Sequence, residues 1–275
     1  MKMNIEKTNA IDSIETWFRY AEPEGGLKQW KDGRSAKEFA RYMLSNGGNM
    51  PEGIEKCINE LFGTKSGDCL CLPEYVTKFP LELGKGEGRH HDAILVSNKE
   101  GKEWLIGVEA KVSEPFDKTM NEWLEEGKKK NKDGGKNRKV RLEECLKLIT
   151  GKDYCDKDLE ESPIKDLRYQ LISATAGTII EAGDRNIKKA CLLVVVFGGD
   201  VEMEKDYKKN VEENQKDYDE YLKFLGLEGK PEAERKIKVT YKDIPIDLYF
   251  RKIEVNIKKG SWEVVEPRRE ASVSL

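Results

Sequence analysis

Residues 190–198, ACLLVVVFG, form an unbroken apolar run rich in strand-favouring side chains. A strand turns successive side chains to opposite faces, so a run with no polar position meets apolar partners on both faces. Such a strand needs a packed layer on each side, and a chain of 275 residues is long enough to provide both. Helical and strand periods alternate around it. LRYQLISATAGTIIEAG (167–183) reads as a helix ending at Gly183, and PEGIEKCINELFG (51–63) as an amphipathic helix closed by Gly63. Ser35-Ala36-Lys37-Glu38 reads as a capping box that opens the helix FARYML. Residues 203–225 read as a polar helix with Tyr207, Val211, Tyr218, Leu222 and Leu225 on its apolar side. KIKVTY, IDLYF and KIEVNI read as further strands, with a loose tail after Trp262. The pattern predicts an α/β fold with a mixed β-sheet flanked by helices, in a single domain.

Composition narrows the function classes. Hydrophobic and charged residues each make up 37% of the chain, so a heavily charged surface surrounds a compact core. The net charge of −3 lacks the global basic field of many nucleic-acid binders, which confines any such surface to a local patch. No apolar run approaches the roughly 18 residues needed to span a bilayer. The first residues lack a signal-peptide pattern, and the expected location is cytoplasmic with no membrane partner. Six scattered cysteines form no disulfide framework and are read as reduced. Cys69 and Cys71 form a lone C-x-C, better explained as two small apolar side chains near a strand than as metal ligands.

The chemistry-bearing segment is a hairpin. HDAILVS (91–97) and WLIGVEAKV (104–112) are two strands flanking the turn Lys99-Glu100-Gly101-Lys102. If paired residues sum to 201, the turn centre falls between Glu100 and Gly101, and Asp92 lies opposite Glu109. Cross-strand neighbours have Cβ atoms about 4.5–5.5 Å apart. Lys111, two residues beyond Glu109, projects from the same face. A register slip by one would turn all of them to the other face. Two adjacent carboxylates call for a cation between them, and their oxygens suit Mg²⁺ or Mn²⁺, with the Ala110 carbonyl able to complete the coordination. Lys111 is placed to orient or deprotonate water, or to neutralise charge on a phosphate. The bland alternative is a cross-strand salt bridge of Asp92 or Glu109 with Lys111.

Asp92 followed by an apolar strand and Glu109-x-Lys111 resembles the PD-(D/E)XK nuclease superfamily. GLKQWKDGRSAKEFAR (26–41), VEAKVSEPFD (108–117) and LRYQLISATAGTIIEA (167–182) look like an uncharacterised bacterial branch of it. The resemblance implies a restriction-endonuclease-like mixed sheet with the acidic cluster on a central hairpin. Its parts would be a helical stretch at 1–70, a nuclease core at about 71–200, and a C-terminal helix and strands at 201–262. It also implies Mg²⁺- or Mn²⁺-dependent hydrolysis of nucleic acid, DNA before RNA, by an endonuclease that could act as a homodimer. The alternative is a catalytically inactive nucleic-acid-binding or regulatory protein on the same fold. Position 91 is His where the family's motif has proline, and the Q-x-x-x-Y that many members carry is not reproduced. Glu38 is the candidate for the family's extra glutamate, with a plain capping role as the competing reading. Gln170 is the candidate for a helix residue that reaches the metal water or a phosphate.

Residues 128–141 hold eight Lys and Arg against Asp133, a local net charge of +7. Lys128, Lys129, Lys130, Arg138 and Arg141 would form a flexible phosphate-tracking loop, joined by Arg168. A solvated loop is the plainer reading. His90 and His91 are expected at the surface or at the cleft's edge, and Phe116 in the core. Trp30 and Trp123 could stack on bases, though core positions are commoner for Trp.

Overall fold

A computed structural model of the chain describes residues 11–67, 69–83, 88–112, 114–130, 132–161, 163–199, 207–258 and 261–265. Along them run α1 (Ile14–Tyr20), α2 (Ser35–Leu44), α3 (Glu52–Phe62), β1 (Leu70–Pro73), β2 (Val76–Thr77), β3 (Arg89–His90), β4 (Ala93–Ser97) and β5 (Trp104–Lys111). They are followed by α4 (Met120–Lys130), α5 (Lys132–Thr150), α6 (Asp156–Glu160), α7 (Tyr169–Asp184), β6 (Lys189–Gly199), α8 (Tyr207–Phe224), β7 (Lys236–Tyr241), β8 (Ile244–Lys258) and β9 (Ser261–Val265). The main sheet has the order β1-β4-β5-β6-β8-β7, with β9 also pairing β8. β5, β6 and β8 are mutually parallel and the other pairings antiparallel, so the sheet is mixed.

The apolar run forms the inner strand β6, and every residue from Ala190 to Phe197 is buried. Its two faces meet different layers. Leu192, Val194 and Val196 pack with Leu142 and Leu146 of α5, Ile172 and Ile179 of α7, and Tyr221 of α8. Cys191, Leu193, Val195 and Phe197 pack with Trp17, Phe39, Met43, Ile54 and Ile58 from α1–α3. α3 ends at Gly63 in the left-handed conformation (φ 64°), which its missing Cβ permits. Five of the six cysteines are buried free thiols; Cys69 and Cys71 lie in the α1–α3 layer, and Cys155 is exposed. Among the described residues no helix is long and apolar enough to cross a membrane.

Several local expectations need correction. The capping box at Ser35 does not form: Arg34 is the N-cap, Ser35 is already helical, and its N–H donates to Glu114 Oε1 (2.9 Å). A carboxylate from beyond the end of β5 therefore caps α2, and Glu38 turns back to accept from the Gly33 N–H (2.8 Å). IDLYF and KIEVNI are one strand, β8, because the eleven-residue edge of β6 templates both halves without a break. β9 carries the chain past Trp262, where a loose tail is expected to begin, to Val265; the residues after 265 lie outside those described, as does the side chain of Tyr207. The basic stretch is the end of α4 and the start of α5, two packed helices, and not an extended loop. β1, β2 and β3 are too short to leave a periodic signal in the sequence.

Candidate functional site

The β4–β5 pairing runs from Ala93↔Val108 to Ser97↔Trp104, the register in which residue numbers sum to 201. Asp92 stands one step before the first pair. Its N–H still donates to the Val108 carbonyl (3.1 Å), but the chain bends there and its Oδ2 accepts the Ala110 N–H (2.7 Å). The carboxylate thus occupies the place that a longer β4 would have taken along β5. Within a strand, the N–H and C=O of one residue point to the same side, so the Ala110 carbonyl opens toward this edge too.

Glu109 alternates with Ala110 and faces α7. Its side chain is fully buried: Gln170 Nε2 donates to Oε2 (3.0 Å) and Arg89 Nη2 to Oε1. Lys111 faces the same way, nearly buried, with Nζ 5.4 Å from the centre of the Phe116 ring. Among the described residues no carboxylate lies within salt-bridge distance of it, so the bland salt-bridge alternative is not what forms.

Two further side chains enter from the chain just before β4. His91 is 1% exposed, its Nδ1 stands 3.8 Å from Glu109 Oε1, and neither ring nitrogen has a hydrogen-bond partner. Burial, then the charges of Arg89 and His90, push its pKa well below the ordinary value, so the ring is neutral and the approach to Glu109 is no ion pair. Glu74, just past β1 with φ 47°, donates its N–H to the Asp92 carbonyl (3.0 Å). Burial, then Asp92 and Glu109, push the Glu74 carboxyl up to about 9. Asp92 is raised to about 6, by burial first and Glu109 next, while Lys111, the Ala110 N–H and Arg89 act the other way. Burial and mutual repulsion thus keep Glu74 protonated and make Asp92 harder to ionise, while Arg89 and Lys111 offset the charge that remains.

The candidate ligands Asp92, Glu109 and the Ala110 carbonyl all offer oxygen, which suits a hard dication. The unpartnered Gln170 Oε1, His91 nitrogens and Arg89 Nε mark a polar interior. Among the described residues no group of three or more His, Cys, Asp or Glu side chains is arranged to hold a metal ion, so the fit rests on Asp92, Glu109 and the Ala110 carbonyl. Clefts of about 340 and 420 Å³ lie elsewhere, one at the far end of β5 beside Phe62 and Trp104, the other between α4, α5 and α6.

Residues 10–256 match the family described as a domain of unknown function, DUF6946. The chain belongs to that family. No curated protein and no solved structure matches it.

The remaining candidate residues of this DUF6946 chain fall in other places. Glu38 lies on α2, on the opposite layer of the sheet, bonded to Gly33 N–H and Arg41 Nη1 (2.9 Å). Gln170 is the helix residue brought to Glu109. Arg168, the N-cap of α7, is tied to Asp217 Oδ2 (2.8 Å) and the Asp117 carbonyl (2.9 Å), which locks α7 to α8. Arg138 bonds the Trp123 carbonyl and Glu126, with its guanidinium 4.8 Å from the Trp123 ring. Tyr169 stacks on that ring at 3.6 Å, so Trp123 is engaged within the protein, and Trp30 packs on Phe18. Arg141 lies over Phe79 and donates to the Leu83 carbonyl (3.4 Å). Lys128 pairs with Glu125, Lys129 is exposed, and the side chain of Lys130 lies outside the described residues. The +7 stretch is thus partly cancelled by acids that its helical phase brings beside it.

His91 is buried at the site, against the expectation of a surface position, because β2–β3 pairing pulls the chain under α7. Arg89 and Glu74 carried no motif. The one available signal was the adjacency of Arg89-His90-His91 to Asp92; for Glu74 there was none.

Proposed function

We propose that the chain is a divalent-metal-dependent nuclease of the PD-(D/E)XK kind, on a restriction-endonuclease-like fold, hydrolysing DNA as an endonuclease. The observation that carries this reading is the bend before β4, which lets the Asp92 carboxylate accept the Ala110 N–H on the strand that turns Glu109 and Lys111 to one face. The acidic cluster's position on a hairpin inside a mixed sheet supports it. Asp92, Glu109 and the Ala110 carbonyl would hold Mg²⁺ or Mn²⁺. A divalent cation bound there supplies charge against the scissile phosphate and acidifies a water. Gln170 fixes the orientation of Glu109 through Oε2. The Lys111 ammonium, which among the described residues forms no salt bridge, donates to the attacking water or to a phosphate oxygen as charge builds on it.

The test is direct. Purified protein with Mn²⁺ is expected to cleave at least one of duplex, single-stranded or branched DNA, and Lys111→Ala to lose about 10²-fold or more of that activity while keeping its melting temperature. DNA left intact in all three forms overturns the proposal. A second reading, a nucleic-acid-binding or regulatory protein without catalysis, is favoured by one observation: both Glu109 oxygens are already engaged, by Arg89 and Gln170. It expects DNA binding to survive the combined loss of Glu109 and Lys111.

A further inference from the structure

Glu109 has no solvent exposure, and the cation beside it comes from the chain itself. A carboxylate taken out of water keeps its charge only in the company of a cation or several donors. The cradle that brings Arg89 there is built by two close approaches. β2–β3 pairing sets Arg89 opposite Thr77, and a Cβ on the preceding Gly88 would stand 1.9 Å from the Thr77 carbonyl oxygen. Across the site, a Cβ on Gly177 of α7 would stand 3.0 Å from both Cβ and Cγ of Arg89 and 2.7 Å from His91 Nε2. The seat therefore fits the Arg89 stem closely, yet the guanidinium is incompletely used: its Nε is buried without a hydrogen-bond partner. A permanent arginine–carboxylate pair gains most when its fork is fully engaged. The side chain also keeps 13% exposure where Glu109 has none, so the cluster meets solvent at Arg89.

We propose that Arg89 is an exchangeable counter-ion of Glu109, displaced toward the opening of the site when a divalent cation binds. This rests on the metal reading above, since without a cation at Asp92 and Glu109 Arg89 has nothing to yield to. Like charges at contact in a buried pocket repel strongly, so a guanidinium and a dication do not share the same carboxylate oxygen. A dication in place of Arg89 brings two positive charges to Asp92 and Glu109 where the guanidinium brings one. Arg89 also bears on Glu74, Asp92 and His91 together, so its departure is felt across the whole cluster.

Mn²⁺ alone is the probe, on the full chain. Arg89→Gln is expected to bind Mn²⁺ about tenfold more tightly than the unaltered chain by calorimetry, and to gain more in melting temperature from it. In the unaltered chain, modification of Arg89 by phenylglyoxal, followed by mass spectrometry, is expected to be slow without metal and about tenfold faster with Mn²⁺. If Mn²⁺ binds the unaltered chain but Arg89→Gln binds it no more tightly and Arg89 stays protected, the exchange is refuted while the metal site stands. If Mn²⁺ binds neither chain, the metal reading falls and this inference with it. Should Arg89→Gln fail to fold, the modification rates decide alone.

Discussion

Gly107 lies on β5 where α7 crosses the sheet. A Cβ built there would stand 2.2 Å from Thr178 Oγ1 and 3.3 Å from Thr178 Cβ, against an ordinary contact of 3.4–4 Å. Thr178 cannot swing aside easily: it is fully buried, and its hydroxyl donates to the Ala174 carbonyl (2.8 Å). Gly107→Ala must therefore push α7 off β5 by about an ångström or distort the helix. Overpacking of this kind costs about 1–3 kcal/mol, while replacing Gly in a strand returns roughly 0.5–1 kcal/mol. The net loss is about 1–2 kcal/mol, a fall in melting temperature of about 2–4 °C for a chain of this size. Thr178→Ala alone removes a methyl and a back-bonded hydroxyl, for about 1 kcal/mol. Combined, the two changes relieve the contact, so the double variant is expected to be more stable than the sum of the singles by about 1 kcal/mol or more. Urea denaturation of all four chains measures the cycle. Strictly additive effects, or an unchanged midpoint for Gly107→Ala, would refute the close-approach argument. The same displacement moves Gln170 away from Glu109, so the site registers the change as well.

The raised carboxyls predict a pH dependence. Glu74 and Asp92 keep protons in the folded state that the unfolded chain releases, so their contribution is fully present below the ordinary carboxylate pKa and is lost as pH rises through about 6 and then about 9. Buried neutral His91 works in the opposite sense, costing stability as pH falls below about 6.5. Glu74→Gln is expected to raise the melting temperature at alkaline pH and flatten its decline above neutrality; a decline parallel to that of the unaltered chain counts against the buried cluster. Arg138→Met is expected to lower stability by about 1–3 kcal/mol, since it strips partners from the Trp123 carbonyl and Glu126 between α4 and α5. Lys128→Met, whose pair with Glu125 is exposed, is expected to stay within about 0.5 kcal/mol, and equal effects of the two would argue against the α4–α5 contacts.

The hairpin shows how much of the site was legible. Its register followed from the positions of the turn residues and the alternation of apolar side chains, both local properties, and Ala93↔Val108 pairs as they require. β6 was legible for the same reason: a run apolar on both faces has few other places to go. The basic stretch misled because charge and glycine are compatible with a loop as well as with two helices, and the choice was settled by packing of Leu142, Cys145 and Leu146 onto α7. Glu38 misled because its place as acceptor of the Ser35 N–H is taken by Glu114, 79 residues from Ser35.

The sequence alone determined the α/β class, the inner strand, and the hairpin whose second strand turns Glu109 and Lys111 to one face, since each depends on a period of two and one short turn. Only the tertiary structure decided that Arg89, His91, Glu74 and Gln170 close around them. Those side chains meet across 20 and 61 positions in the Arg89–Glu109 and Gln170–Glu109 bonds, and through close approaches at Gly88, Gly107 and Gly177. Contacts of that range leave no periodic trace, because they are set by how layers stack and not by how a single strand or helix repeats.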